Sequence, residues 1–239
     1  MSRSFDRSPA ELRPITLTPG VSRNAEGSCL VEFGYTKVLC TATVDDSVPP
    51  FLRNTGQGWV TAEYGMLPRS TNSRNPREAA KGKQSGRTQE IQRLIGRSLR
   101  TAIDLGHLGE RQIIIDCDVL EADGGTRTAS ITGGFVALAQ AIASLEKRKA
   151  FKVHPIIAPV AAISCGIVNG EALLDLDYVE DSGAQVDANI IMTAEGKFVE
   201  VQMSGEEATF HEGQLGSLLE LGKKGILELI ALQRKALGF

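Results

Sequence analysis

The chain has 239 residues, of which 42% are hydrophobic and 23% charged, and its formal net charge at pH 7 is −3. This length and composition are those of a globular protein with a hydrophobic core, in one large domain or two small ones. A nearly neutral chain does not attract nucleic acid through overall positive charge, so such binding would depend on a local surface.

The charged residues are distributed unevenly. Residues 69–100 contain nine Lys or Arg and two Glu, whereas residues 171–220 contain twelve Asp or Glu and one Lys. This asymmetry is compatible with a phosphate-binding region beside a cation-binding region, and equally with two solvated faces of a soluble protein.

The cysteines and the N-terminus indicate a compartment. Cys29, Cys40, Cys117 and Cys165 lie in apolar, strand-like segments without the spacing of zinc ligands, and are predicted to be buried thiols in a reducing cytosol. The first residues include no apolar signal region, and no apolar run approaches the ~20 residues that span a membrane. We therefore expect a cytoplasmic protein with no membrane partner.

The first half of the chain predicts strands and helices in alternation. Apolar, β-branched runs on either side of Gly34-Tyr35 are typical of a hairpin. The long loop that follows the third strand has no apolar periodicity, and such a loop in a compact domain is usually functional or disordered. Gly106 is expected to end the first helix. In chain order the predicted elements are strands at 28–33, 36–44 and 58–66, a loop at 69–87, a helix at 88–104, a strand at 111–120 and a helix at 126–145.

The second half predicts two hairpins and a final amphipathic helix. Asn169-Gly170 and Glu195-Gly196 supply the hairpin turns. Groups of strands followed by helices predict an α+β fold with helices against a mixed sheet, and no linker divides the chain, so we expect a single domain over residues 1–239. The predicted strands are 158–168, 171–174, 186–193 and 197–203, and the predicted helix is 212–237.

The junction between the strand at 111–120 and the next helix is the strongest functional signal. It reads Gly124-Gly125-Thr126-Arg127-Thr128. Two glycines allow a sharp turn that exposes backbone N–H groups, and the positive end of the helix favours an anion there. The two threonine hydroxyls and the arginine fork suit phosphate oxygens. We favour an anion site over a plain strand-to-helix turn, although neither a Walker loop nor a dinucleotide fingerprint is present. Arg87 could complete a clamp with Arg127, but alone it would be a solvated loop residue.

An acidic segment offers ligands for a hard cation such as Mg²⁺, which takes one or two carboxylates and keeps several waters. Six extended residues would separate Asp181 from Asp187 by about 20 Å, too far to share an ion. The turn at Ser182-Gly183 lets the two face each other across a bend. The alternative is a polar loop with capping aspartates. The carboxylates of this segment are Asp175, Asp177, Glu180, Asp181 and Asp187.

Other chemistry has weaker support. Asp116 and Asp118 lie two apart on one strand and so share a face, which makes them second-rank candidates for a ligand or an arginine partner. None of the three histidines belongs to a Ser/His or Cys/His signature. An enzyme with this sequence would therefore work by positioning, charge and a metal, with a nucleophile taken from solution.

A set of basic residues could follow a nucleic acid backbone. Aromatic residues are scarce at 5%, which limits base stacking, and an arginine-rich subunit interface is the alternative. The set comprises Arg69, Arg74, Arg77, Lys81, Lys83, Arg93, Arg97 and Arg100.

Taken together, these residues resemble the ribonuclease PH family of phosphate-dependent 3′→5′ exoribonucleases. The resemblance runs nearly from end to end. It is carried by residues 11–14, 27–42, 62–68, 116–129 and 176–182, and by Asp187.

The resemblance implies a fold, an assembly and site residues. The fold would be that of polynucleotide phosphorylase and exosome ring subunits, built of β-α-β units and related to the second domain of a small-subunit ribosomal protein. The assembly would be a homo-hexamer, a trimer of dimers. The phosphate site would comprise Arg87, Gly125, Thr126 and Arg127, and Asp181 and Asp187 would be catalytic, metal-linked carboxylates. Arg69, Arg74 and Arg77 would hold the ring or contact tRNA.

The implied reaction trims nucleotides beyond the CCA end of tRNA precursors, and other structured RNA 3′ ends. It consumes inorganic phosphate, uses Mg²⁺ and releases nucleoside 5′-diphosphates, and its reversal adds nucleotides from diphosphates. Two alternatives remain open: a non-catalytic ring subunit that only binds RNA, and a small-molecule phosphotransferase that uses the same anion turn.

Overall fold

The computed structural model of the chain describes residues 3–205 and 208–238. Within these ranges it contains nine strands and six α-helices. The strands are β1 (Ile15–Pro19), β2 (Gly27–Phe33), β3 (Thr36–Asp45), β4 (Trp59–Met66), β5 (Gln112–Glu121), β6 (Val160–Val168), β7 (Glu171–Leu174), β8 (Val186–Thr193) and β9 (Phe198–Gly205). The helices are α1 (Glu78–Lys81), α2 (Gly86–Arg100), α3 (Leu105–Leu108), α4 (Thr126–Lys147), α5 (Tyr178–Ser182) and α6 (Glu212–Leu237).

The strands form two sheets. The first has the order β1-β2-β3-β5-β4 and is mixed, because β4 and β5 run parallel while its other pairs are antiparallel. Parallel neighbours need a crossover, and the chain supplies it through α2, which packs on β4. The second sheet has the order β7-β6-β8-β9 and is antiparallel throughout. The predicted α+β class with helices against a mixed sheet is confirmed.

Helix α4 lies between the sheets and contacts β2 and β3 of the first and β6 of the second. The Thr132 hydroxyl bonds to the backbone N–H and C=O of Ala162, so α4 satisfies polar groups of β6 directly. A single hydrophobic cluster consequently runs through both sheets. A single domain over residues 1–239 stays a prediction.

The burial of α4 also corrects one expectation. By length and composition α4 is long and apolar enough to cross a membrane, contrary to the expectation that no run approaches this size. However, 83% of its most apolar window is buried inside the protein, as in the core helix of a soluble fold. Its apolar surface is needed on all sides because it packs between two sheets.

Element bounds differ from the predictions where local capping decides them. The helix predicted at 88–104 spans Gly86–Arg100, because the Ser85 hydroxyl caps it by accepting a hydrogen bond from the Thr88 N–H. Gly106 does not end this helix but lies inside the separate helix α3. The sequence analysis missed β1, and it missed α1 and α5 inside segments taken as a loop and a turn. The predicted bounds of β7, β8 and α6 are confirmed.

Close approach of β2 to α4 generates a stability prediction. A Cβ on Gly27 would overlap the Ala137 carbonyl oxygen and lie 2.7 Å from the Ala141 nitrogen, both in the α4 backbone. We expect Gly27→Ala to lower the free energy of unfolding by about 2–4 kcal/mol, because backbone on both sides cannot yield cheaply. Urea denaturation followed by circular dichroism measures it.

Gly216→Ala is the matched control, since a Cβ at Gly216 on α6 meets open space. Alanine favours a helix over glycine by up to about 1 kcal/mol, so this variant should be unchanged or more stable. Equal behaviour of the two variants would contradict the close packing of β2 on α4.

Candidate active site

The turn between β5 and α4 requires glycine. Gly124 and Gly125 have φ values of +76° and +67°, in the left-handed region that glycine adopts without strain. Gly125 is the N-cap of α4 and has no side chain to satisfy the first N–H groups of the helix. These groups therefore remain available to an anion, as the sequence predicts.

The glycine turn packs directly on the acidic segment. A Cβ on Gly124 would lie 2.7 Å from the Leu176 carbonyl oxygen and 2.7 Å from the Asp177 carbonyl carbon. The Tyr178 N–H donates to the Asp123 carboxylate at 3.3 Å, which adds a second link. The fold thus brings together the two strongest functional signals of the sequence, which are some fifty residues apart.

Hydroxyl groups fix the turn, with a difference from the prediction. The Thr36 hydroxyl donates to the Gly124 carbonyl at 2.7 Å and accepts from the Asp123 N–H at 2.8 Å. The Thr128 hydroxyl, predicted to be an anion donor, instead bonds to the Gly125 carbonyl, because Thr128 is buried in the first turn of α4. Thr126 shares a 2.9 Å hydrogen bond with the Tyr64 hydroxyl.

Tyr64, which the sequence analysis did not select, joins the start of α4 to the region of Arg87. Burial raises the pKa of Tyr64, and the hydrogen bond with Thr126 and the positive charges of Arg87 and Arg127 act in the opposite direction. Tyr64 and Arg87 also line a cavity of about 750 Å³. The contact of Tyr64 with the N-terminus of α4 could be found only from the structure, since β4 precedes the turn by sixty residues.

Asp181 and Asp187 lie on either side of a short turn, and both are half-buried. Asp181 is in α5, and Asp187 is the second residue of β8. In the second sheet Asp187 pairs with Gly166 on β6 and with Ser204 on β9. Two residues further along β8, Asn189 pairs with Ser164 and with Gln202. These side chains therefore share one face of the sheet.

This face adjoins the glycine turn. The Ser164 hydroxyl oxygen lies 3.7 Å from a Cβ placed on Gly125, and Gln202 contacts Arg127. Asp187 is consequently on the face of the second sheet against which α4 begins. Within residues 3–205 and 208–238 no group of three or more His, Cys, Asp or Glu side chains is arranged to hold a metal ion. A pair of hard carboxylates still fits Mg²⁺, whose other ligands are commonly waters and substrate phosphates.

The other acidic residues of the segment have structural roles. Asp177 and Glu180 form the capping box of α5, and each uses its side chain and backbone. Glu180 also accepts from Arg3 at 2.6 Å and from Arg7 at 3.3 Å. The alternative of capping aspartates is therefore correct for part of the segment.

A buried arginine connects this segment to the glycine turn. The Arg13 guanidinium holds both oxygens of the Asp175 carboxylate, at 2.8 and 3.1 Å, and donates to the Asp123 backbone carbonyl. The Arg13 side chain is 0% exposed and that of Asp175 1%. Such a bidentate pair fixes direction as well as distance, so the turn is anchored from behind.

The second-rank aspartates lie on the open face of the first sheet. Asp118 lines the same cavity as Arg87. Partial burial raises the pKa of Asp116, with further contributions from the charges of Glu63 and Asp118.

The predicted basic residues separate into different environments. Arg69, Arg74, Arg77 and Arg93 are exposed. Arg97 pairs with Glu200 at 2.6 Å. Arg100, grouped with them in the sequence, instead stacks over the Trp59 ring at 4.3 Å and donates to the Val60 carbonyl, so its role is structural.

Comparisons with known proteins identify the family of the chain. Family models described as "3′ exoribonuclease family, domain 1" and "domain 2" match residues 11–143 and 158–225. Ribonuclease PH of Cereibacter sphaeroides is 58% identical over 236 residues, which are 99% of this chain and 100% of that protein. Ribonuclease PH of Caulobacter vibrioides is 59% identical, with 99% of both chains covered.

Solved structures support the fold. The crystal structure of rice (Oryza sativa) Rrp46 has a TM-score of 0.78 at 19% identity and covers 98% of this chain and 100% of its own. The Archaeoglobus fulgidus exosome with RNA bound to the active site has a TM-score of 0.79 at 21% identity, with 95% and 91% covered. At such low identities the likeness shows the fold alone.

The chain belongs to the ribonuclease PH family of 3′ exoribonucleases. It is a phosphorolytic 3′→5′ exoribonuclease and nucleotidyltransferase. The alternatives of a non-catalytic ring subunit and a small-molecule phosphotransferase are not favoured.

The buried pair behind the turn generates a prediction. We expect Arg13→Met to lower the free energy of unfolding by about 3–5 kcal/mol, because it leaves the Asp175 carboxylate buried without its bidentate partner. Turnover should also fall, since the glycine turn loses its anchor. Urea denaturation and a phosphorolysis assay measure the two effects.

Arg148→Met is the control, because both members of the Arg148–Asp46 pair at 3.9 Å are more than half exposed. Surface pairs contribute about 0–1 kcal/mol, so its cost should be small. A similarly small cost for Arg13→Met would show that the turn does not depend on this anchor.

Proposed function

We propose that this chain binds inorganic phosphate at the N-terminus of α4, between Arg87 and Arg127, and uses it to remove 3′-terminal nucleotides from RNA. The observation that carries the proposal is the N-terminus of α4, which no side chain caps and whose Thr126 bonds at 2.9 Å to the hydroxyl of Tyr64, a residue that lines one cavity with Arg87. Backbone N–H groups after Gly125 and the Thr126 hydroxyl complete a set of donors for phosphate oxygens.

In the proposed reaction a phosphate oxygen attacks the phosphorus of the last phosphodiester. A new P–O bond forms as the bond to the 3′ oxygen of the preceding nucleotide breaks. The products are a nucleoside 5′-diphosphate and an RNA shortened by one residue with a free 3′ hydroxyl. In the reverse direction the site adds nucleotides from diphosphates.

The residues of the chain act by positioning and charge. Arg87 and Arg127 offset the repulsion between the attacking phosphate and the phosphodiester, and the α4 N-terminus orients the nucleophile. No side-chain nucleophile is needed, because phosphate fills that role. Asp181 and Asp187 would hold Mg²⁺, which when bound stabilises negative charge at phosphorus and on the leaving oxygen.

The proposed substrates are tRNA precursors with residues beyond the CCA end, and other structured RNA 3′ ends. Ribonuclease PH relatives at 58–59% identity support the first of these. We propose a cytoplasmic homo-hexamer, a trimer of dimers, since the fold neighbours include exosome cores. The exposed Arg69, Arg74 and Arg77 would join subunits or contact tRNA, and Arg93 would belong to the same surface.

Replacement of Arg127 tests the phosphate site. We expect Arg127→Ala to raise the Michaelis constant for phosphate by about 10- to 100-fold, because the variant loses charged hydrogen bonds to the anion. RNA affinity should stay within about twofold, since the RNA retains its other basic contacts. Phosphate titrations of diphosphate release, with RNA binding measured separately, distinguish the two.

Arg148→Ala is the control for Arg127→Ala, because Arg148 lies just beyond the opposite end of α4 and is exposed. It should have the wild-type phosphate dependence. The phosphate assignment fails if Arg127→Ala shortens RNA as fast as the wild type at every phosphate concentration.

Replacement of Asp187 tests the metal site. We expect Asp187→Asn to reduce turnover on the order of 100-fold or more, since it removes an anionic ligand from the charge-stabilising ion. The assembly should remain intact on gel filtration. Glu195→Gln, which removes an exposed carboxylate from the β8–β9 turn, should leave turnover unchanged. Full activity of Asp187→Asn in Mg²⁺ would overturn the assignment.

A further inference from the structure

Two side chains from distant parts of the chain approach one nitrogen of Arg127. The Gln202 Oε1 on β9 accepts from Arg127 Nη1 at 3.5 Å. The Glu90 Oε2 on α2 lies 3.7 Å from the same Nη1. The sequence analysis selected neither residue. The guanidinium, whose side chain is 19% exposed, is thus held between β9 and α2 at the start of α4.

Hydrogen bonds determine the orientation of the Gln202 amide. Its Nε2 donates to Glu90 Oε1 at 3.3 Å and to Glu200 Oε1 at 3.0 Å. Ionised carboxylates can accept hydrogen bonds but cannot donate them. Glu90 and Glu200 therefore bind the NH₂ group of the amide, which leaves the amide oxygen for Arg127.

Arg97 closes the arrangement from the outside through its 2.6 Å ion pair with Glu200. We call Gln202, Glu90, Glu200 and Arg97 the Arg127 bracket. Together with Arg127 the bracket is electrically balanced, because Arg127 and Arg97 supply two positive charges and Glu90 and Glu200 two negative ones.

We propose that Gln202 is a positioning residue for the phosphate co-substrate, and that it orients Arg127 while Glu90, Glu200 and Arg97 hold Gln202. This inference rests on the proposed function, because it assumes that Arg127 binds phosphate. The bracket engages the guanidinium through Nη1, and a guanidinium has five N–H donors with which to meet an oxyanion. Gln202 acts on phosphate only through Arg127. In this assignment Arg97, predicted to bind RNA or a neighbouring subunit, supports the phosphate site.

The test is Gln202→Leu, which keeps the approximate size of the side chain and removes its amide. Phosphate is titrated at saturating RNA, and RNA at saturating phosphate. We expect the Michaelis constant for phosphate to rise about five- to tenfold, as for one lost hydrogen bond to a charged group, while that for RNA stays within about twofold. Gln89→Leu is the matched control, since exposed Gln89 precedes Glu90 on α2. Its constants should be those of the wild type.

A double-variant cycle separates this inference from the phosphate site itself. If Gln202 acts through Arg127, the pair Arg127→Ala with Gln202→Leu should need no more phosphate than Arg127→Ala alone, within about twofold. The positioning role of Gln202 is wrong if Arg127→Ala raises the phosphate requirement but Gln202→Leu has the same Michaelis constant for phosphate as Gln89→Leu. When Arg127→Ala itself has no effect on that requirement, the proposed phosphate site fails first.

Two further variants keep the inference testable. If Gln202→Leu does not fold, Glu200→Gln weakens the hold on Gln202 and should raise the phosphate requirement about two- to threefold, as for a weakened charged contact; no rise overturns the bracket. Arg97→Ala should likewise raise the phosphate requirement and leave RNA affinity unchanged. A loss of RNA affinity alone would place Arg97 in the RNA contact and contradict its role here.

Discussion

The candidate site depends on the contact between the glycine turn and the backbone of the acidic segment. Gly124 leaves no room for a side chain against Leu176 and Asp177, and its left-handed φ excludes most other residues. Arg13 then fixes both partners from inside the protein, since it binds the Asp175 carboxylate and the Asp123 carbonyl together. The separation between the proposed phosphate donors and the proposed magnesium carboxylates is thereby set by backbone packing and one buried arginine. Residues on strands and helices are held more precisely than residues on loops, and this packing gives the turn similar support.

The same contact explains how positive and negative groups coexist at close range. The buried arginines neutralise Asp175 and Glu180 behind the turn. On the other side, Glu90 lies near Arg127, and Glu200 pairs with Arg97. Each uncompensated charge in a partly buried site would be costly, so the fold pairs those that have structural roles. The phosphate and metal groups of the proposed site are accordingly embedded in a balanced framework, which allows a strongly charged reaction centre in a chain of net charge −3.

Local sequence patterns predicted much of the fold, and contacts over long sequence distances explain the rest. The periodicity and turn residues of β7, β8 and α6 were sufficient to predict their bounds, because these signals lie within each element or next to it. The short α5 could not be separated from a turn, since its capping box reads only as two more acidic residues. In the site, Arg87 and Arg127 were selected by their position at helix starts. Tyr64 and Gln202 were not, because nothing near them in sequence indicates that β4 and β9 reach the same helix terminus.

Helix α4 links the chemistry to the core. Its first turn supplies the proposed anion donors, and its remaining length packs on β2, β3 and β6. Because the helix is rigid and buried, a displacement anywhere along it moves the N–H groups that are proposed to bind phosphate. The glycines at its contacts allow this close packing: a Cβ on Gly133 would lie 2.6 Å from Val31 Cγ1. The position of the proposed phosphate site is thus determined by how closely two sheets can approach one helix.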